Sequence, residues 1–237
     1  MIWNEWLDSF VLRLQRGKQN RASRRRTTRN CHIRQTEQLE TRWMLSAPHP
    51  LDLSTLNGTD GFRLDGIDAR DQSGNSVSSA GDVNGDGFDD LIIGARFADP
   101  GGNIDAGESY VVFGKSSGFT AAVDLSTLNG TNGFRLDGID GNDYSGNSVS
   151  SAGDVNGDGF DDLIIGASGA DPGEDSFAGE SYVVFGKSSG FTAAVDLSTL
   201  NGTDGFRLDG IDAFDRSGLS VSSAGDVNGD GFDDLII

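Results

Sequence analysis

A chain of 237 residues with 35 glycines, four prolines and one cysteine has too little sulfur for an internal disulfide, and its turn-forming composition points to many short strands rather than helices. Its formal charge of −19 is unevenly spread: residues 1–50 carry ten Arg or Lys against four Asp or Glu, a balance of +6, and the remaining 187 carry eight against 33, a balance of −25. That negative field disfavours nucleic acid and anionic membrane and favours cations, and no run of ~18 apolar residues is present to cross a membrane as a helix.

Residues 1–47 read as a basic leader or targeting segment. Trp3, Trp6, Leu7, Phe10, Val11 and Leu14 fall at helical spacing, which predicts one apolar helix face, and the tract from Arg13 to Arg29 is strongly basic. A secretory signal peptide places its charges before its apolar core, and here the order is reversed. The composition fits a disordered basic tail as well. Leu39–Ala47, LETRWMLSA, ends in the small residues of a processing site. It resembles the LEPR-x-LL leader of very large bacterial surface proteins, departing at Thr41 and Met44.

From residue 52 the chain repeats every 72 residues. Units 52–123 and 124–195 differ at ten of 72 positions, and 196–237 begins a third copy that stops after 42. Within a unit, Gly61–Gly66 and Ser76–Gly81 read as strands, Leu91–Gly94 as a fully apolar one, and Glu108–Gly114 as a longer one. Four strands per unit, repeated, predict an all-β fold, a partial β-propeller of about two and a half four-stranded blades. A parallel β-helix coil is much shorter, and a helical solenoid would show a 3.6-residue period.

Between the second and third strands of each unit stands the loop DVNGDGFDD. Its oxygen-bearing side chains are Asp82, Asn84, Asp86 and Asp90, then Asp154, Asn156, Asp158 and Asp162, then Asp226, Asn228, Asp230 and Asp234. Alternate side chains of a tight loop point inward, which suits Ca²⁺, a hard cation taking six to eight oxygens, and the carbonyls of Phe88, Phe160 and Phe232 are further donors. One Ca²⁺ per repeat, three in all, is the expected cofactor. A helix-flanked EF-hand shares the first positions but needs a bidentate Glu at position 12, where Ile93, Ile165 and Ile237 stand. A metal-free Asp/Asn/Gly turn is the plainer alternative, but it leaves several carboxylates close together with no counter-charge.

The string from Gly74 to Gly94, with its GDVNGDGFDDLIIGA core, and the Val-Val-Phe-Gly stretch ending at Gly114 resemble the FG-GAP repeat of integrin α-chain propellers and of many exported bacterial proteins. The resemblance implies that Ser76–Gly81 is the innermost strand, that the loop links it to the next strand outward, and that the twelve side chains named above hold the cation. It also implies a partner-binding face opposite these loops. There the copies differ most. Between the first two units, nine of the ten differences fall within Ala69–Gln72 and Arg96–Asp105, and the third differs from the first at Phe214, Arg216 and Leu219. Candidate partner-binding residues are therefore Arg70, Gln72, Arg96, Phe97, Asp105, Asn142, Tyr144, Phe177, Phe214 and Arg216; drift in loops after duplication produces the same pattern.

Catalysis is not expected. His32, His49 and Cys31 all precede the repeats, so acid–base and nucleophilic sets built on His or Cys are missing from them. Glu108 and Glu180 recur identically and read as structural, and Arg63, Arg135 and Arg207 are expected to pair with neighbouring acids. Sites of extracellular strength need about 10⁻⁴–10⁻³ M calcium, so the expected address is secreted or cell surface. The expected role is an adhesion or interaction scaffold for a protein or polysaccharide ligand. Remaining blades are expected from a longer chain or another copy. The alternatives are a non-catalytic accessory propeller of a larger secreted hydrolase or lyase, and a non-functional gene fragment.

Overall fold

The computed structural model describes residues 52–237, and the expectations for the leader lie outside them. Thirteen strands are found there: β1 Arg63–Asp65, β2 Ser76–Gly81, β3 Asp90–Ala95, β4 Glu108–Val112, β5 Ala122–Asp124, β6 Gly133–Asp137, β7 Ser145–Gly153, β8 Asp162–Ala167, β9 Glu180–Val184, β10 Ala194–Asp196, β11 Gly205–Asp209, β12 Ser222–Gly225 and β13 Asp234–Ile236. Helical structure among the described residues is limited to single 3₁₀ turns, such as Leu53–Thr55, where the Asp52 carboxylate accepts from Ser54 N and caps the turn.

The strands form an open, all-β set of propeller blades. In the first, β2, β3, β4 and β6 run antiparallel in that order, and the second repeats this as β7, β8, β9 and β11. The outermost strand of each blade thus comes from the following repeat. Gly133–Asp137 lies across Glu108–Val112, with Arg135 opposite Tyr110. The 72-residue unit of the sequence and the blade of the fold are offset by one strand. β12 and β13 form a two-stranded sheet, and the short parallel pairings β1–β5 and β6–β10 each join the beginning of a repeat to its end; nothing in their three-residue sequences marks β5 and β10 as strands.

Hydrophobic burial occurs between blades. Leu-Ile-Ile of the second strand is apolar on both faces because both faces are covered. Ile92, Val111, Phe134 and Leu136 of the first blade meet Leu163, Ile165, Tyr182 and Val184 of the second in one cluster. On the other side of the first blade, Ile93, Tyr110 and Val112 pack with Leu125. The small residues of the inner strands are needed for close approach: β2 lies against β7 and β7 against β12, and a Cβ on Gly94 would run into the carbonyl of Gly146, as one on Gly166 would into that of Gly218.

Candidate metal centres and the opposite loop face

Each acidic loop is wound by its own side chains. The Asp82 carboxylate accepts from Gly85 N (2.8 Å) and Asp86 N (3.0 Å) through Oδ1 and from Gly87 N (2.8 Å) through Oδ2. Asn84 Oδ1 accepts from Asp86 N, and Asp86 Oδ1 from Phe88 N. The second loop repeats these bonds from Asp154, Asn156 and Asp158, and the third from Asp226, Asn228 and Asp230. Gly87 closes the turn at φ 87°, a conformation costly for any residue with a Cβ.

The carboxylate at position 9 behaves differently, because it opens the next strand. Asp90 is wholly buried and joins three segments, accepting from Val83 N (3.1 Å) and from Gly114 N (2.8 Å). Asp162 does the same with Val155 N and Gly186 N. In the third loop Asp234 accepts from Val227 N. Burial above all, with Asp86 and Asp82 adding repulsion against the two N–H donors, pushes the Asp90 carboxyl up to about 7; Asp162 is shifted likewise to about 7.

This donor set fits a hard cation. All its atoms are oxygens, three carboxylates and one amide carbonyl per loop, and among the described residues none of the ion pairs reaches a loop carboxylate. No three Asp, Glu, His or Cys side chains among the described residues form a ready-made metal cluster.

The ten residues singled out for partner binding stand at the other end of the same strands. In the β2–β3 ladder Gly81 faces Asp90 at the acidic loop and Ser76 faces Gly94 at the opposite end. Eight of the ten, Arg70, Gln72, Asp105, Asn142, Tyr144, Phe177, Phe214 and Arg216, have positive φ. With Glu174 they are all the non-glycine residues of that kind among those described, and such backbone is strained for side chains of this size.

The loops interlock across repeat boundaries. Tyr144 N donates to Asp105 O (3.1 Å) and Asn142 N to Ile104 O (2.9 Å); Phe214 N donates to Ser176 O and Arg216 N to Phe177 O. Phe97 meets Tyr144 edge-on at 5.6 Å with the Arg96 guanidinium over its ring at 4.5 Å, and Phe177 stacks on Phe214 at 6.0 Å beside Arg216. Arg70, Gln72, Phe97 and Asp105 line one hollow of about 660 Å³ with Asp71 and Asp99.

Acidic side chains are also buried away from the loops. Asp143 stands buried in a hollow of about 260 Å³ with Asp140, Asp171, Glu180 and Arg207. Glu108 and Glu180, the first residues of β4 and β9, are buried, accept from the Tyr110 and Tyr182 hydroxyls, and pair with Arg135 (3.5 Å) and Arg207 (3.1 Å). The arginine pairing follows the expectation; Arg63 pairs with Asp65 alone among the described residues.

Four-stranded blades packed face to face, each with an acidic loop between its two inner strands, define a β-propeller segment. The FG-GAP repeat family matches residues 73–112 and 145–184, and the chain is an FG-GAP repeat protein. Repeats of this family often bind Ca²⁺. Its relatives include phosphatidylinositol-glycan-specific phospholipase D of Bos taurus, 30% identical over 159 residues, which covers 67% of this chain and 18% of that protein. Integrin alpha-4 of Xenopus laevis is 30% identical over 161 residues, 67% of this chain and 13% of that protein. Integrin alpha-PS2 of Drosophila melanogaster is also 30% identical over 161 residues, covering 66% and 10%. The chain therefore spans less than a fifth of the length of these relatives.

Proposed function

We propose that this segment is a calcium-stabilised, exported interaction scaffold without catalytic activity, holding one Ca²⁺ in each acidic loop and presenting its opposite loop face to a protein or polysaccharide ligand. The observation that carries the calcium reading is the burial of Asp90 and Asp162 beside two further carboxylates each, with no cationic side chain paired to them among the described residues. When bound, Ca²⁺ supplies the missing positive charge. Asp82, Asn84, Asp86 and Asp90 and their counterparts would hold it, and the N–H bonds that already shape the loop pre-order those oxygens. At ~1 mM free Ca²⁺ and a Kd of ~0.1 mM, mass action stabilises the fold by roughly 1.4 kcal/mol per site. Such sites fill outside a low-calcium cytosol, which supports a secreted or cell-surface address.

The test is thermal unfolding in Ca²⁺ and in chelator, for the chain and for the Asp86→Ala, Asp158→Ala, Asp230→Ala triple variant. Calcium is expected to raise the melting temperature of the chain and leave that of the variant unmoved. A chain that melts identically in both buffers defeats the calcium reading. For the ligand face, the aromatic and basic pairs Arg96–Phe97 and Phe177–Arg216 on strained loops are the support. Binding on a matrix-protein and glycan array is expected to fall when Phe97 and Phe177 become Ala, and binding that is indifferent to both defeats that part. The likeness to phosphatidylinositol-glycan-specific phospholipase D favours a second reading, a non-catalytic accessory propeller of a larger secreted hydrolase. Coding sequence flanking this segment separates the two.

A further inference from the structure

Two of the acidic loops are gripped from outside by the loop that follows. Asp161, at position 8 of the second loop, accepts from Asp82 N through Oδ2 (2.8 Å) and donates its own N–H to Asp82 O (3.4 Å). It thus holds both backbone polar groups of the residue that opens the first loop. Beside it, the Phe160 ring covers Gly85. One period on, Asp233 accepts from Asp154 N (3.0 Å) and donates to Asp154 O (3.1 Å), and Phe232 covers Gly157.

A second link joins the position-9 carboxylates of the first two loops. Asp162 Oδ1 accepts from Gly186 N (2.8 Å), the next residue, Lys187, donates its N–H to Val83 O (2.9 Å), and Val83 N donates to Asp90 Oδ2 (3.1 Å). Asp161 itself is no member of its own loop's donor set, because its side chain is spent on Asp82. It lies in sequence between Phe160, whose carbonyl is a candidate donor, and Asp162, whose carboxylate is another. Whatever fixes those two fixes Asp161 between them, and with it the backbone of Asp82. Groups that orient a metal's ligands without touching the metal contribute about 10–100-fold to affinity.

We propose, resting on one Ca²⁺ per acidic loop as read above, that Asp161 and Asp233 are positioning residues for the cation sites of the repeats before them, so that adjoining sites fill cooperatively. Occupation of the second loop raises the affinity of the first, and occupation of the first raises that of the second by the same factor, because coupling between two binding sites is reciprocal. A cycle of variants isolates such coupling.

Calorimetric Ca²⁺ titration of the full 237-residue chain tests this. Asp230→Ala leaves the first two loops competent; adding Asp158→Ala leaves the first alone, and adding Asp86→Ala instead leaves the second alone. The product of the two association constants in the two-loop chain is expected to exceed the product of the single-loop constants by ~5-fold or more. With Asp161→Ala in all three chains that surplus is expected to vanish. The second loop alone is expected to keep its affinity, although the substituted residue lies within it. Asp161→Asn retains an oxygen for Asp82 N and is expected to keep the surplus. A two-loop product equal to the single-loop product, a surplus that survives Asp161→Ala, one lost equally with Asn, or a second loop weakened by Asp161→Ala when alone each overturns the proposal and leaves the calcium reading standing. A two-loop chain that takes up no Ca²⁺ overturns both.

Discussion

Asp143 is the carboxylate whose surroundings most oppose its charge outside the acidic loops. It is 7% exposed, and its one hydrogen bond comes from Asp140 N at 3.3 Å. Burial, and then repulsion from Glu180, Asp140 and Asp171, push it up to about 7, with Arg207 on the far wall of the hollow as the one cation facing it among the described residues. An unfolded Asp titrates near ~3.9, so the folded state holds the extra proton between the two values. Its contribution to stability is fully present below ~pH 4 and is lost as the pH rises through about 7. Asp143→Asn keeps an oxygen for Asp140 N and never ionises. It is expected to be more stable than the wild type at pH 8 by about 1–3 kcal/mol, and equal to it near pH 4. Thermal melts at the two pH values measure this, and a gain of the same size at both contradicts it.

At the scale of strands, each repeat is incomplete without its neighbour. β6 and β11 close the blades of the preceding repeats, and their arginines reach back to Glu108 and Glu180. The inner strands meet through glycine because no side chain fits between them, so adding one methyl tests the packing directly. Gly166→Ala directs its Cβ into the Gly218 carbonyl, and an overpacked contact of this kind costs about 1–3 kcal/mol. The midpoint of urea unfolding is expected to drop accordingly. An unshifted midpoint means that β8 and the chain at Gly218 stand farther apart than described.

In the described unit as a whole, stability is graded along the chain. β8 and β9 are buried throughout and covered by clusters on both sides, whereas β12 and β13 form a two-stranded sheet with Ile236 and Ile237 exposed. Local opening follows the contacts that hold an element. Amide exchange measured at low protein concentration is therefore expected to be slowest in β8 and β9 and fastest in β12 and β13. Even protection across the repeats would mean that the described unit opens only as a whole.

The acidic loops and the inner strands could be read from residue order because both are local events. Small residues mark Ser76–Gly81, an apolar run marks Leu91–Gly94, and Asp, Asn and Gly at fixed offsets wind the loop between them. The loops that bear Arg70, Tyr144 and Phe214 could be picked out, since copies of one unit differ there, but their left-handed backbone could not; around Tyr144 and Phe214 it goes with hydrogen bonds to the loop of the preceding repeat. The same limit hid the strand exchanged between repeats, the brief pairings of β5 and β10, and the hold of Asp161 and Asp233 on the preceding loop. Identical repeats carry identical residues, so nothing in their order says which copy supplies the partner; that choice is made by packing between residues distant along the chain, which only the assembled blades bring into contact.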